Sequence, residues 1–115
     1  SNSLIFGNRS ATSGCNGISE GGGLYAANTV ASLLLVNCLV CSNTSTSNSG
    51  STPIQGAGVS SFAATASFES CTIARNSNEG LRIGAGAATV TNSIVFENLS
   101  TSIAGTAAVN YSDIQ

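Results

Sequence analysis

Several kinds of side chain are missing from this chain of 115 residues. It contains no His, Lys, Met or Trp, and three Arg residues are its only basic side chains. The absence of His excludes the usual zinc sites and the Ser-His-Asp arrangement of hydrolases. Sparse, scattered Arg residues exclude a nucleic-acid binder, which needs clustered Lys or Arg to follow a phosphate backbone. The sequence therefore predicts no nucleic-acid partner.

Long apolar runs are also missing. The longest apolar stretch covers residues 31–41 and is interrupted by Ser32 and Asn37. A helix that spans a membrane needs about 20 predominantly apolar residues. We therefore expect no membrane insertion.

Small polar residues and glycine are abundant instead. The chain has 20 Ser, 11 Thr, 12 Asn and 13 Gly, which together make 56 of its 115 residues. Its apolar content of 42% is nevertheless too high for a disordered tail. Ser, Thr, Asn, Gly and β-branched residues favour short strands and tight turns over helices.

A seven-residue motif recurs along the chain. Four copies cover residues 2–8, 37–43, 70–76 and 92–98, and a shorter fifth covers residues 111–115. The pairs Gly23-Leu24, Gly58-Val59 and Gly80-Leu81 precede three of these copies. A period of about 22 residues, lengthened by insertions over residues 9–22 and 44–55, suits the coils of a β-solenoid. The sequence thus predicts about 4–5 coils with loop insertions.

Spacing within the motif predicts which side chains point inward. A spacing of two residues indicates a strand, and a spacing of three marks a corner where one residue is skipped. Each coil then presents a large apolar residue, a small Cys or Ser, an Ile or Val, and an Asn to the interior. The small inward residues include Cys38, Cys71 and Ser93. The predicted asparagine ladder consists of Asn8, Asn43, Asn76 and Asn98, whose amides can bond to one another and to turn backbone.

The chain resembles the right-handed parallel β-helix proteins of the pectin-lyase-like superfamily, most of all the repeat regions of bacterial polymorphic outer-membrane and autotransporter-type surface proteins. The resemblance rests on Gly21-Gly22-Gly23-Leu24-Tyr25, Asn37-Cys38-Leu39-Val40, Thr91-Asn92-Ser93-Ile94-Val95 with Asn98, and Asn110-Tyr111-Ser112-Asp113-Ile114-Gln115. It implies an all-β, right-handed parallel β-helix as a single domain over residues 1–115. It further implies that this domain is a piece of a longer solenoid, secreted or at a cell surface.

Carbohydrate-active members of that superfamily work with clusters of Asp, but Asp113 is the only Asp in this chain. Arg75 and Glu97 occupy neighbouring turn positions and are expected to form an exposed ion pair across adjacent coils, with contact to a substrate as the alternative. Glu79 and Arg82, which flank Gly80, are interpreted in the same way. No catalytic, cofactor-binding or metal-binding residue is predicted.

The four cysteines fall into two kinds. Cys38 and Cys71 occupy the same inward slot of successive coils and are expected to be stacked core thiols. Cys41 alternates outward, and Cys15 lies in the first insertion, so a Cys15–Cys41 disulfide is possible in an oxidising compartment. Four cysteines allow three complete pairings, among which the sequence does not choose.

An apolar strip is predicted on the outer face of the motif strands. It consists of Leu4, Phe6, Leu39, Cys41, Ile94 and Phe96, and this name is kept below. An outer sheet face in water should carry polar residues, so the strip predicts a cover. Either the chain's own insertions or a neighbouring chain can provide it.

These features predict a non-catalytic structural or adhesive module, such as a stalk, fibre or filament subunit with lateral or end-to-end self-association. Its expected partners are other copies of itself or neighbouring coils of its parent protein, with carbohydrate as a further possibility. The alternative is a polysaccharide-binding or polysaccharide-degrading β-helix whose active site lies outside this chain.

Overall fold

The protein is built from short β-strands. A computed structural model describes residues 1–12, 18–47 and 54–115, and these contain strands and turns but no helix. The strands are β1 (Leu4–Phe6), β2 (Arg9–Thr12), β3 (Ser19–Glu20), β4 (Leu24–Ala26), β5 (Ser32–Val36), β6 (Leu39–Cys41), β7 (Thr44–Ser47), β8 (Ile54–Gln55), β9 (Val59–Ser61), β10 (Thr65–Glu69), β11 (Thr72–Ala74), β12 (Leu81–Ile83), β13 (Ala87–Thr91), β14 (Ile94–Phe96), β15 (Ile103–Ala104), β16 (Ala108–Asn110) and β17 (Asp113–Ile114).

These strands form five sheets in which every pairing is parallel. The main sheet has the order β1-β6-β11-β14-β17, the second sheet β16-β13-β10-β5 and the third sheet β15-β12-β9-β4. The pairs β2-β7 and β3-β8 form two smaller sheets. The prediction of an all-β chain with parallel strands is confirmed.

Equivalent residues of successive repeats lie side by side. In the main sheet Ile73 pairs with Val40 on one side and with Val95 on the other. In the second sheet Phe68 pairs with Leu35 and Val90 in the same way. Parallel strands place equal residues in rows about 4.8 Å apart, so one repeated pattern continues through several strands.

The core lies between the three larger sheets. Its cluster of buried side chains draws on all of them, including Val40, Ile73, Leu81, Phe68 and Val90. Alternation along each strand turns one set of side chains to the core and the next set outward. Every strand of the three larger sheets except β16 therefore contributes one or two apolar residues to the core or to its margin.

Two corners of each motif have left-handed backbone. One row of positive-φ residues comes directly before the small inward residue, with φ between 48° and 53°, and consists of Asn2, Asn37, Ser70, Asn92 and Tyr111. The second row comes directly before the motif asparagine and consists of Gly7, Ser42, Arg75 and Glu97. These are the residues skipped at the three-residue spacings. A left-handed residue at each corner turns the chain sharply between two strands.

The two insertions contain strands as well as loops. Residues of β2 in the first insertion pair with residues of β7 in the second, from Arg9 opposite Thr44 to Thr12 opposite Ser47. Further on, β3 pairs with β8. Both insertions begin directly after a motif asparagine, Asn8 or Asn43, so they leave neighbouring repeats at the same place. This common starting point explains why they pair with each other.

Candidate functional site

The motif asparagines lie in one row joined by side-chain hydrogen bonds. The Nδ2 group of Asn8 donates to Asn43 Oδ1 at 3.1 Å, that of Asn43 to Asn76 Oδ1 at 3.1 Å, and that of Asn76 to Asn98 Oδ1 at 2.9 Å. The backbone N–H of each of the first three residues donates to the same oxygen. Each amide oxygen thus accepts two hydrogen bonds from the preceding rung. We call this set the asparagine row.

Glycines leave room for this row. A Cβ atom on Gly23 would lie 2.8 Å from Asn43 Nδ2, and one on Gly58 would lie 2.8 Å from Asn76 Nδ2. A Cβ on Gly80 would meet Asn98 in the same way. The glycines that precede β4, β9 and β12 of the third sheet are therefore needed for the close approach of the asparagine side chains.

The small inward residues also form a row. Each side chain donates to the carbonyl two residues earlier, from Ser3 at one end through Cys38 and Cys71 to Ser93 and Ser112. The hydroxyls also accept from the preceding repeat: Cys71 N–H donates to Ser93 Oγ at 3.0 Å and Ser93 N–H to Ser112 Oγ at 3.1 Å. The row therefore helps to hold the corners of neighbouring repeats together.

The buried Cys71 thiol makes the stability of the fold depend on pH in the alkaline range. Burial raises the pKa of Cys71, and this effect exceeds the lowering by backbone hydrogen bonds at Cys38 and Glu69. The unfolded chain loses this proton near pH 8.5, while the folded chain keeps it to higher pH. The stabilising contribution is complete below about pH 8.5 and is lost as the pH rises through the raised pKa, by up to about 1.4 kcal/mol per pH unit.

We therefore expect Cys71→Ser to reduce the fall in unfolding free energy between pH 8 and pH 10.5. Urea unfolding with a reducing agent at several pH values measures this fall. Serine already fills the same slot at Ser93, so the variant should fold. Cys41→Ser, at a partly exposed position, is the matched control and should keep the wild-type dependence. Equal slopes for wild type and Cys71→Ser would contradict the assignment.

Cys15 of the predicted Cys15–Cys41 disulfide lies outside the described residues. The pairing therefore stays a prediction. Within the part of the chain that the structure describes, Cys38, Cys41 and Cys71 form no disulfide with one another. Cys38 and Cys71 are buried and Cys41 is partly exposed.

The structure brings the residues of the apolar strip together on the outer face of the main sheet. Leu4, Leu39 and Ile94 belong to one row of this face, together with Thr72 and Asp113. Phe6, Cys41, Ala74 and Phe96 form the next row. The exposed fraction is 66% for Leu4, 60% for Phe6, 40% for Leu39 and 45% for Ile94.

A shallow groove runs along this face between two aromatic side chains. Phe6 and Phe96 lie three strands apart, or about 14 Å, with the smaller Cys41 and Ala74 between them. The groove has a volume of about 340 Å³. Bulky ends and a low centre make the surface concave.

The described parts of the insertions do not cover the strip. Their strands pair with one another in the two smaller sheets, and the strip side chains keep the exposures given above. Residues 13–17 and 48–53 belong to the insertions and lie outside the described residues. The sequence predicted either the insertions or a neighbouring chain as the cover of the strip. Since the described insertion residues do not cover it, we test contact with a neighbouring chain.

An ion pair borders the groove. Arg75 Nε lies 2.7 Å from Glu97 Oε2, and both side chains are largely exposed. The hydrogen bond and charge of Glu97 raise the pKa of Arg75 above its usual range. The pairing expected from the repeat is present, and its exposure makes it a weak contributor to stability.

The second predicted pair, Glu79 with Arg82, is not an exposed one. Arg82 Nη1 lies 3.2 Å from Glu79 Oε1, and the two side chains are only 26% and 15% exposed. Glu79 Oε2 also accepts the Gly56 N–H at 2.7 Å. Gly56 comes directly after the second insertion, so the backbone at that point contacts the pair. Glu79 therefore links that insertion to the third sheet.

One cluster was missed by the sequence reasoning. Glu20 of β3 and Tyr25 of β4 line a pocket of about 330 Å³ together with Ser10 and Ile18, and we call it the Tyr25 pocket. Partial burial and, after it, the nearby Glu20 carboxylate raise the pKa of Tyr25. The five-residue spacing of Glu20 and Tyr25 carries no recognised motif, so only the folded chain reveals the cluster.

No three His, Cys, Asp or Glu side chains are grouped to hold a metal ion among the residues described. The described part of the chain likewise contains no helix long and apolar enough to cross a membrane. Comparison with protein-family models, curated proteins and solved structures finds no significant match.

Proposed function

We propose that this chain is a segment of a right-handed parallel β-helix and serves as a non-catalytic structural or adhesive module, secreted or at a cell surface. Each strand of the three larger sheets pairs with its equivalent in the next repeat, as the coils of a β-helix do. Parallel strands joined by crossovers are right-handed in nearly all proteins, which supports the handedness.

The interior supports a structural role. The asparagines hydrogen-bond to one another and to backbone carbonyls. The small inward residues hydrogen-bond to backbone carbonyls at the corners. Such rows bind neighbouring repeats together, and they use the amide oxygens of Asn43, Asn76 and Asn98 within the chain. Two of the three Arg residues, Arg75 and Arg82, are held in ion pairs.

The exposed apolar strip is the observation that carries the adhesive part of the proposal. Large apolar side chains in one contiguous group on a regular sheet face are typical of a contact surface. We propose that the strip makes lateral contact with another copy of the chain or with a neighbouring part of its parent protein. The flanking charges of Arg75 and Glu97 would then form a polar rim.

Sedimentation velocity over a range of concentrations tests this contact. The wild-type chain should associate as its concentration rises, and Leu39→Ser/Ile94→Ser should weaken the association at least about tenfold, because it removes two apolar anchors. Leu99→Ser is the matched control, since Leu99 is 81% exposed but lies outside the strip. Association that is unchanged in the double variant would overturn the proposal.

Carbohydrate binding is the second candidate, and the groove between Phe6 and Phe96 favours it. Aromatic faces pack against sugar rings, and a span of about 14 Å can accommodate a short oligosaccharide. Titration of neutral and acidic oligosaccharides, with Phe96→Ala as the comparison, distinguishes this candidate from self-contact. Turnover of any oligosaccharide would overturn the non-catalytic assignment.

A further inference from the structure

The Tyr25 pocket combines a carboxylate, an aromatic ring and a hydroxyl. Glu20 comes from the first insertion and Tyr25 from the third sheet, while Ser10 and Ile18 complete the described lining. The pocket involves none of the residues of the apolar strip. An inference about it therefore does not depend on the proposed lateral contact.

In the part of the chain that the structure describes, Glu20 forms no ion pair with a cationic side chain. The Arg9 guanidinium donates to Thr46 Oγ1, Arg75 pairs with Glu97, and Arg82 pairs with Glu79. All three Arg residues of the chain lie in its described part, and there is no Lys or His. The half-buried Glu20 carboxylate thus brings an unneutralised negative charge to the pocket.

Tyr25 supplies an aromatic surface beside this charge. Its side chain is 49% exposed, and its ring packs at 6.1 Å and a tilt of 55° against Phe62. This contact holds the ring in place while part of it stays open to the pocket. Burial and the nearby Glu20 carboxylate raise the pKa of Tyr25, so the ring is a neutral phenol at physiological pH.

We propose that the Tyr25 pocket binds an organic cation, with a guanidinium group as its charged end. A positive group above an aromatic face is attracted by the negative charge of the π-system. A planar guanidinium can lie against the Tyr25 ring while its N–H groups donate to Glu20, and it carries less water than an ammonium group. Ile18, at the side of the pocket, suits an alkyl chain attached to that group.

The test uses n-butylguanidinium chloride and its neutral isostere n-butylurea. Binding is followed by NMR at neutral pH in the Tyr111→Phe variant, in which Tyr25 is the sole tyrosine. We expect the Tyr25 ring signals to shift saturably with a Kd of about 1–10 mM for n-butylguanidinium. Binding of n-butylurea should be at least about tenfold weaker, because it lacks the charge.

Substitution of the carboxylate provides the second arm. Glu20→Gln should weaken n-butylguanidinium binding at least about tenfold, whereas Glu69→Gln, which removes an exposed carboxylate elsewhere, should not. Bound cation should also lower the pKa of Tyr25 in the parent variant, since it neutralises the adjacent charge; phenolate absorbance measures this.

Equal affinity for the two probes, or unchanged affinity in a folded Glu20→Gln variant, would overturn the proposal. If Glu20→Gln does not fold, the comparison of the two probes on the parent variant decides alone.

Discussion

Replacing Asn76 with alanine should lower the free energy of unfolding by about 3–5 kcal/mol, because two donors of buried Asn43 lose their acceptor. Asn76 Oδ1 accepts both the backbone N–H of Asn43 at 3.0 Å and its Nδ2 at 3.1 Å. The substitution also removes the Asn76 Nδ2 group that donates to Asn98 Oδ1. Urea-induced unfolding, followed by circular dichroism, measures the loss.

Asn8→Ala is the matched control for this prediction, since it makes the same change in the same row. Asn8 is exposed, and Asn43 Oδ1 keeps the Asn8 backbone N–H as a donor after the substitution. The cost should be below about 1 kcal/mol. If Asn76→Ala and Asn8→Ala lowered the free energy of unfolding by similar amounts, the burial and the hydrogen bonds of Asn76 would not stabilise the fold as described.

Gly58→Ala should destabilise the chain by about 3 kcal/mol or more, because it overpacks the contact between the third sheet and the asparagine row. The added Cβ would lie 2.8 Å from Asn76 Nδ2 and 3.1 Å from Asn76 Cγ. It would also meet the backbone carbonyl oxygen of Gly80. Neither neighbour is a flexible chain end, so the strain cannot be relieved by a small movement. The midpoint and slope of urea unfolding measure the effect.

Gly7→Ala separates crowding from backbone conformation. Gly7 has φ +65° but no atom within 4 Å of an added Cβ, so its substitution should cost only about 1 kcal/mol. The double variant Gly58→Ala/Asn76→Ala should cost less than the sum of the single variants, because the shorter side chain removes part of the crowding. Additive costs would mean that Gly58 and Asn76 are not in contact.

The rows of equivalent residues could be predicted from the sequence, because inward residues are two positions apart along a strand and three positions apart at a corner. Ile73 lies two positions after Cys71 and three positions before Asn76. The same spacing recurs in the neighbouring copies of the motif. Parallel pairing then places equal residues side by side. The all-β class and the parallel strands were therefore predictable, while the β-helix and its superfamily remain proposals.

Other features depend on contacts that the repeat does not encode. Arg75 and Glu97 are ordinary charged residues, so nothing in them indicates left-handed backbone. The contact of Glu79 with Gly56 and the Tyr25 pocket both involve segments in the insertions or directly after them. Those segments differ in sequence between the two insertions, and pattern matching predicted them only as loops. The position of these segments follows only from the strand pairing and contacts of the folded chain.

The most direct test of the proposed contact surface is the accessibility of the Leu39 and Ile94 methyl groups to a soluble nitroxide, measured by NMR in dilute and in concentrated solution. Lateral contact through the strip predicts strong signal loss in dilute solution and protection in concentrated solution, while Leu99 loses its signal in both. Protection of Leu39 and Ile94 even in dilute solution would contradict the proposal, since the chain would then cover its own strip. Equal signal loss at both concentrations would contradict contact between copies, because the strip would then have no partner in another copy of the chain.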